Sequence, residues 1–219
     1  GFVRKVYGLL AMQLLLTTVI AVPFQFMDSQ ALVSNAWLAW FSGPSLMLLL
    51  CALACSPELA RSYPANEICL FLLTAFQGVL VGYFSAAFTW QSVILAVGIT
   101  VVVVIGLTIY GVFTSTDFTG SGSYIFGALL TFVAFALALA VMAACGIHIQ
   151  WLVVLGDLMC VLLFVMITVY DTQMILGSHG GHKQEFSLDD YVAAALSLYL
   201  DIVNLMMGIL SLTGSRDSG

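Results

Sequence analysis

The sequence predicts an all-α integral membrane protein, with seven transmembrane helices in a single domain that covers residues 1–219. Of its 219 residues, 62% are hydrophobic and only 7% are charged, whereas a soluble domain carries about a quarter charged residues. A soluble fold of this size could not cover so much apolar surface. The chain begins at Gly1 rather than at a methionine, which is compatible with a further N-terminal segment before it.

Seven apolar runs are long enough to cross a bilayer, whose core of about 30 Å needs about 20 apolar residues per helix. Polar segments rich in proline or glycine separate several of them, such as "SPELARSYPANE" and "FTSTDFTGSGS". The breaks "AAFTWQ" and "CGIHIQW" are thin, so six spans are the alternative count. The predicted spans are residues 6–26, 35–55, 67–88, 91–112, 123–146, 149–175 and 190–212.

The basic residues predict on which side of the membrane each end of the chain lies. With seven spans, the side of the N-terminus carries Arg4, Lys5, Arg61 and Lys183, and the opposite side carries Arg216. Lysine and arginine are enriched in cytosolic loops. We therefore expect the N-terminus in the cytosol and the C-terminus across the membrane.

Two glycines in the third span predict close packing between helices. Gly78 and Gly82 stand four residues apart in "GVLVG". This spacing lets two helix backbones approach closely inside a membrane. We expect these glycines to contact a neighbouring helix rather than to line a pore.

Three polar residues of the sixth span share roughly one helix face, namely Asp157, Thr168 and Asp171. By the rise of 1.5 Å per residue, Asp157 lies about 21 Å along the axis from Asp171. The two acids therefore cannot share one site on a straight helix. Thr168 is a candidate to line a pore. Two interpretations of Asp157 stay open: it lines the far end of a polar pathway, or it caps the start of the span.

A polar stripe along the seventh span predicts a helix with one face turned to protein or water. Its members recur at steps of four, three, four and three, which is the spacing of a single helix face. Polar groups on such a face avoid lipid because their burial in hydrocarbon is costly. The stripe consists of Ser197, Asp201, Asn204, Gly208 and Ser211, of which Ser197, Asn204 and Ser211 are pore-lining candidates.

Asp171 and Asp201 are both embedded in apolar sequence, in "VYDTQM" and "LYLDIVN". Consecutive spans run antiparallel, so an acid near the end of the sixth span and one inside the seventh can reach similar depths. Two carboxyl groups in contact can share one proton, because two like charges held together are costly. The alternative is two separate acids, each hydrogen-bonded to serine, threonine, tyrosine or backbone.

The C-terminal motifs resemble those of the Bax inhibitor family of membrane proteins. "VYDTQMILG" and "SLDDYVAAALSLYLDIVNL" are similar to the end of that family, and "VRKVYGLLAMQLLLT" and "FTSTDFTG" resemble its Lifeguard branch. The resemblance covers essentially the whole chain. It implies a last helix that is central and surrounded by the other six, a pH-sensitive calcium leak, and in eukaryotes a part in suppressing cell death. The family's aspartate pair maps onto Asp171 and Asp201.

The sequence departs from the family pattern near the second span. Bacterial relatives carry a glutamate in that span and an arginine near its end, but "FSGPSLMLLLCALAC" contains no acid. Glu58 and Arg61 follow it, three residues apart and behind Pro57. We interpret them as an ion pair in a loop, which contributes little stability.

The resemblance and the two acids together predict a calcium leak that protons control. Asp171 and Asp201 are its pH-sensing gate, and with Asn204 they offer calcium transient oxygen ligands. Calcium is the permeating ion, and no cofactor is expected. The alternative is a non-conducting regulator that binds other membrane proteins. An intramembrane aspartyl protease is disfavoured because the second acid lacks the Gly-Asp motif that would open its helix, so we expect no enzymatic activity.

Composition also bounds the partners and the location. The chain has no basic patch that would bind nucleic acid. The expected partners are membrane lipid, calcium and other membrane proteins of cell-death control. The expected location is the endoplasmic reticulum, the Golgi or the plasma membrane in a eukaryote, and the inner membrane in a bacterium.

Overall fold

A computed structural model describes residues 1–177 and 185–216. Within them the chain forms nine α-helices and two 3-10 turns. Lys183, one of the basic residues that predict the orientation, lies outside the described residues, and the orientation stays a prediction. The helices are α1 Phe2–Ala21, α2 Ser29–Ser34, α3 Trp37–Cys55, α4 Pro57–Arg61, α5 Ala65–Ser85, α6 Trp90–Phe113, α7 Gly122–Ala144, α8 Gln150–Leu176 and α9 Tyr191–Thr213, and the 3-10 turns are Val22–Phe26 and Thr119–Ser121.

Seven of these segments are long and apolar enough to cross a membrane, which confirms the predicted number of spans. Both thin breaks separate two helices, so the count of six is wrong. Each observed span boundary lies within four residues of its predicted position. The spans are Phe2–Phe26, Trp37–Cys55, Ala65–Ser85, Trp90–Phe113, Thr119–Ala144, Gln150–Leu176 and Tyr191–Thr213. The protein is therefore a multi-pass integral membrane protein.

Local chemistry explains where several helices begin and end. The side chain of Asp28 accepts a hydrogen bond from the Ala31 amide at 2.9 Å and caps α2. Helix α8 ends at Gly177, which adopts a φ of 54° that residues with a side chain rarely take. The backbone conformation of Gly177 thus ends the helix.

The helices form two compact units. The first contains the described parts of Gly1–Val93, Phe186–Tyr199 and Ser215–Gly219, and the second those of Ile94–Glu185 and Leu200–Gly214. A single domain over residues 1–219 stays a prediction. Helix α9 is the most buried of the seven spans, with 67% of an 18-residue stretch buried, whereas no residue of the corresponding stretch of α7 is buried. The arrangement of six helices around α9 also stays a prediction.

Close contacts at two glycines hold α5 against the N-terminal segment in the first unit. A Cβ atom added to Gly78 would lie 3.1 Å from Cβ of Ile20 on α1. One added to Gly82 would overlap the ring of Phe24, at 2.8 Å from its Cγ. The prediction that both glycines serve helix packing is confirmed.

Neutral side chains form a buried network between α1, α5 and the part of α9 that belongs to the first unit. Gln13 Nε2 donates to Thr74 Oγ1 at 3.1 Å, and Thr74 Oγ1 donates in turn to the carbonyl of Leu70 at 2.8 Å. Thr17 Oγ1 donates to the carbonyl of Gln13 at 2.8 Å. The hydroxyl of Tyr199 must therefore be the donor in its 2.7 Å bond to Thr17 Oγ1.

Arg61 forms an ion pair with Asp190 and not with Glu58, so the predicted loop pair is wrong. Its Nε lies 2.7 Å from Asp190 Oδ1, and its Nη2 lies 3.1 Å from Oδ2. The hydrogen bond and the charge of Asp190 raise the pKa of Arg61 above its usual value. The two hydrogen bonds to one carboxylate match the planar guanidinium group. Glu58, on the same one-turn helix α4, is less well placed to form both bonds.

Candidate functional site between helices α8 and α9

The polar stripe of α9 packs against α8 from Asp201 onwards, within the second unit. Asp201 is hydrogen-bonded to Asp171, and Ser211 is hydrogen-bonded to Asp157. Between these two contacts, a Cβ atom on Gly208 would meet Val161 Cγ2 at 2.9 Å. Because residues later in α9 meet residues earlier in α8, the two helices run antiparallel along this face.

The two carboxyl groups of Asp171 and Asp201 form the most buried part of this face. Asp171 is 4% exposed and Asp201 is 3% exposed, and a side-chain hydrogen bond joins them. An ionised carboxylate can only accept a hydrogen bond, so a bond between the two groups requires a proton on at least one of them. The structure thus brings the two acids together, and both the sharing of one proton and the role of the pair as a gate stay predictions.

One oxygen of this pair has no hydrogen-bond partner. Within the described residues, Asp201 Oδ2 is buried and accepts no bond. An unpaired buried oxygen costs about 1–3 kcal/mol. It therefore offers an acceptor to a proton, a water molecule or a cation that reaches the pair.

Asn204 and Gly208 occupy the middle of the stripe. Asn204 Nδ2 donates to the carbonyl of Leu200 on its own helix at 2.7 Å. The Asn204 carbonyl accepts a bond from Cys160 Sγ on α8 at 3.8 Å. Asn204 is thus at the contact with α8, but its side-chain amide is bound to its own helix, and its pore-lining role stays a prediction.

Asp157 and Ser211 form a second contact between the same two helices. Ser211 Oγ donates to Asp157 Oδ2 at 2.6 Å, a short bond of the kind expected to a charged oxygen. The N-cap of α8 is Ile149, eight residues before Asp157, so the capping interpretation of Asp157 is wrong. The interpretation that Asp157 lines the far end of a pathway stays a prediction.

Thr168 and Ser197 complete the set of pore-lining candidates. Thr168 is fully buried, but its hydroxyl donates to the carbonyl of Phe164 on its own helix at 2.7 Å. Ser197 is half-buried and belongs to the first unit. The pore-lining roles of both residues stay predictions.

Gln173 is fully buried, lies two residues after Asp171, and is not among the site residues that the sequence predicts. Its Oε1 accepts from the Phe118 amide at 2.8 Å, and its Nε2 donates to the carbonyl of Thr116 at 2.9 Å. Both partners belong to the "FTSTDFTG" loop between α6 and α7. The signal was present in "VYDTQM", where a glutamine that ends a transmembrane helix needs partners for both its donor and its acceptor.

The described residues contain no group of three or more histidine, cysteine, aspartate or glutamate side chains that could hold a metal ion. Calcium prefers six to eight oxygen ligands. Asp171 and Asp201 would leave most of that shell to water, which fits a passing ion better than a resident one. Transient calcium binding at this pair stays a prediction.

Comparison with known proteins places this sequence in a family. The family described as Inhibitor of apoptosis-promoting Bax1 matches residues 1–218. Protein lifeguard 3 of Homo sapiens is 31% identical over 99% of this chain and 69% of its own length. Protein lifeguard 3 of Mus musculus is 30% identical over 99% and 70%, and Protein LIFEGUARD 2 of Arabidopsis thaliana is 31% identical over 100% and 89%. The chain therefore belongs to the Bax inhibitor family, on its Lifeguard-like branch.

Proposed function

We propose that the protein is a pH-sensitive calcium leak channel that modulates calcium homeostasis and cell death, with Asp171 and Asp201 as its gate. The observation that carries the proposal is the hydrogen bond between two buried carboxyl groups on adjacent membrane-spanning helices. Membership of a family described as inhibiting apoptosis-promoting Bax1 supports the part in cell death. The channel acts in an intracellular or plasma membrane of a eukaryote, or in the inner membrane of a bacterium.

The chemistry of the pair gives the gate its response to pH. With one proton, the two groups are joined by a bond to a charged oxygen, which is roughly twice as strong as a neutral one. Loss of that proton leaves two carboxylates that repel each other. Addition of a second proton removes the charge and weakens the bond. The pair therefore holds α8 and α9 together over a middle range of pH and loosens on either side of it.

An acid pair is also suited to calcium. When the pair opens by losing its proton, it presents carboxylate oxygens, which are the ligands that calcium prefers. The unpartnered Asp201 Oδ2 is the oxygen already available. The same event thus separates the helices and creates a negative site for the permeating cation.

A non-conducting regulator is the second candidate. It is favoured by the hydrogen bonds of the stripe, because Asn204 and Ser211 both bond within the protein and do not present a free row of oxygens. Such a regulator would act by binding other membrane proteins of cell-death control. It predicts that the purified protein carries no calcium.

Calcium uptake into liposomes that contain the purified protein distinguishes the two candidates. The channel predicts uptake above that of protein-free liposomes, with a dependence on pH that Asp171→Asn removes. Asp28→Asn is the matched control, because asparagine caps a helix as well as aspartate does. Uptake equal to that of protein-free liposomes at every pH would reject the channel and favour the regulator.

A further inference from the structure

A cavity of about 300 Å³ opens in the first unit, among α1, α5 and the start of α9. It contains none of the residues of the carboxyl pair. Its walls combine one cationic, one anionic and one aromatic side chain with an apolar remainder. The lining residues are Lys5, Gly8, Leu9, Met12, Glu67 and Tyr191.

The polar and apolar walls of this cavity lie at different depths. Lys5, Glu67 and Tyr191 are the fourth, third and first residues of their helices, within about 5 Å of each helix start by the rise of 1.5 Å per residue. Leu9 and Met12 lie about 10 and 15 Å from the start of α1 by the same rise. The cavity therefore runs from a charged mouth at the end of three spans to an apolar wall further in, as a lipid runs from its headgroup to its chains.

In the part of the chain that the structure describes, Lys5 and Glu67 do not form an ion pair with each other. Lys5 Nζ lies 5.0 Å from the centre of the Tyr191 ring, and the ion pair formed among the described residues joins Arg61 and Asp190 instead. A separated cation and anion at one mouth complement a ligand that carries both charges. Lys5 suits a phosphate, and Glu67 suits an ammonium group.

One face of α1 provides the wall for the apolar part of the ligand. Lys5, Gly8, Leu9 and Met12 follow the helical spacing of three, one and three residues and so lie on one side of the helix. A Cβ atom on Gly8 would meet nothing within 4 Å. Gly8 thus keeps open the passage between the charged mouth and the side chains of Leu9 and Met12.

We propose that this cavity binds a phospholipid with a zwitterionic, amine-bearing headgroup. The phosphate lies at Lys5, the ammonium group lies at Glu67, and an acyl chain passes Gly8 to reach Leu9 and Met12. A lipid with a phosphate but no amine satisfies Lys5 and leaves Glu67 facing a negative ligand. The site therefore prefers phosphatidylethanolamine to phosphatidylglycerol.

Native mass spectrometry of the full chain in detergent, with either lipid added, tests the proposal. Gly8→Leu fills the passage, and we expect it to weaken retention of phosphatidylethanolamine by about tenfold or more, as for a loss of one good contact. Gly98→Leu is the matched control, because a Cβ atom there also meets nothing within 4 Å. Equal retention by Gly8→Leu and the wild type would overturn the site.

Glu67→Gln tests the headgroup separately and serves if Gly8→Leu fails to fold. Loss of the carboxylate should lower the preference for phosphatidylethanolamine over phosphatidylglycerol by about tenfold, as for a lost bond to a charged group. A thermal shift assay with each lipid gives the same comparison without a mass spectrometer. An unchanged preference, or a wild type that retains phosphatidylglycerol at least as well, would overturn the zwitterionic ligand.

Discussion

The buried polar groups of the two units form hydrogen bonds of different chemical types. The first uses amides and hydroxyls, in which Gln13 bonds to Thr74 and Tyr199 bonds to Thr17. The second uses acids, in which Asp201 bonds to Asp171 and Ser211 bonds to Asp157. Amide and threonine groups keep their protons at any physiological pH, whereas a bond between two carboxyl groups exists only while a proton is present. The comparison separates neutral hydrogen bonds, which do not titrate in this range, from a contact between two acids, which under the proposed function responds to pH.

The largest expected effect is on the pH dependence of calcium flux. If one proton controls the channel, the calcium flux changes by up to about tenfold per pH unit. Asp201→Asn keeps the shape of the side chain but ends proton sharing. The dependence of flux on pH should therefore become flat. Tyr199→Phe removes a buried bond of the first unit and should leave the profile unchanged. Flux into proteoliposomes across pH measures both. If Tyr199→Phe changed the pH dependence of flux as much as Asp201→Asn does, the claim that only the second unit responds to pH would be wrong.

Gln173 tests whether a neutral contact in the second unit contributes stability rather than pH sensing. Gln173→Leu leaves the Phe118 amide and the Thr116 carbonyl without their partner, at about 1–3 kcal/mol for each group that stays buried. Thermal unfolding in detergent should show the loss, and Gln91→Leu, at an exposed position, should not. A stable Gln173→Leu protein would show that water replaces this amide.

Gly82 tests how strongly close packing holds the first unit. Gly82→Ala forces the buried ring of Phe24 to move and should cost about 1–3 kcal/mol, as for overpacking of a core. Gly98→Ala meets open space and is the control in the same unfolding measurement. Equal unfolding temperatures for the two variants would mean that Phe24 yields easily.

The smallest expected effect is at the ion pair between Arg61 and Asp190. The hydrogen bond and charge of Asp190 raise the pKa of Arg61, so the stability that the pair contributes is complete below the ordinary arginine pKa and is lost only as pH rises through the higher folded value. Arg61→Gln should therefore leave the pH profile of flux unchanged between about pH 5 and 8. A shifted profile in that range would assign Arg61 to the gate.

The sequence predicted the spans and the two central acids because hydrophobic length and the cost of charge in lipid act locally. It did not predict side-chain partners that depend on how each helix is rotated. Arg61 was assigned to the nearest acid along the chain and binds Asp190 instead. Asp157 was assigned to a cap or a pathway, and its bond to Ser211 needs the register of α8 against α9. Gln173 was missed because its partners lie more than fifty residues away.

The central claim is that Asp171 and Asp201 act as one proton-sharing unit, and a comparison of single and double variants tests it most directly. Calcium flux into proteoliposomes is measured across pH for the wild type, Asp171→Asn, Asp201→Asn and the double variant. If the pair acts as one unit, either single change flattens the profile and the double change adds little, because residues in contact do not act additively. Single variants that keep the wild-type profile, or two effects that simply add, would contradict the claim and leave two independent buried acids.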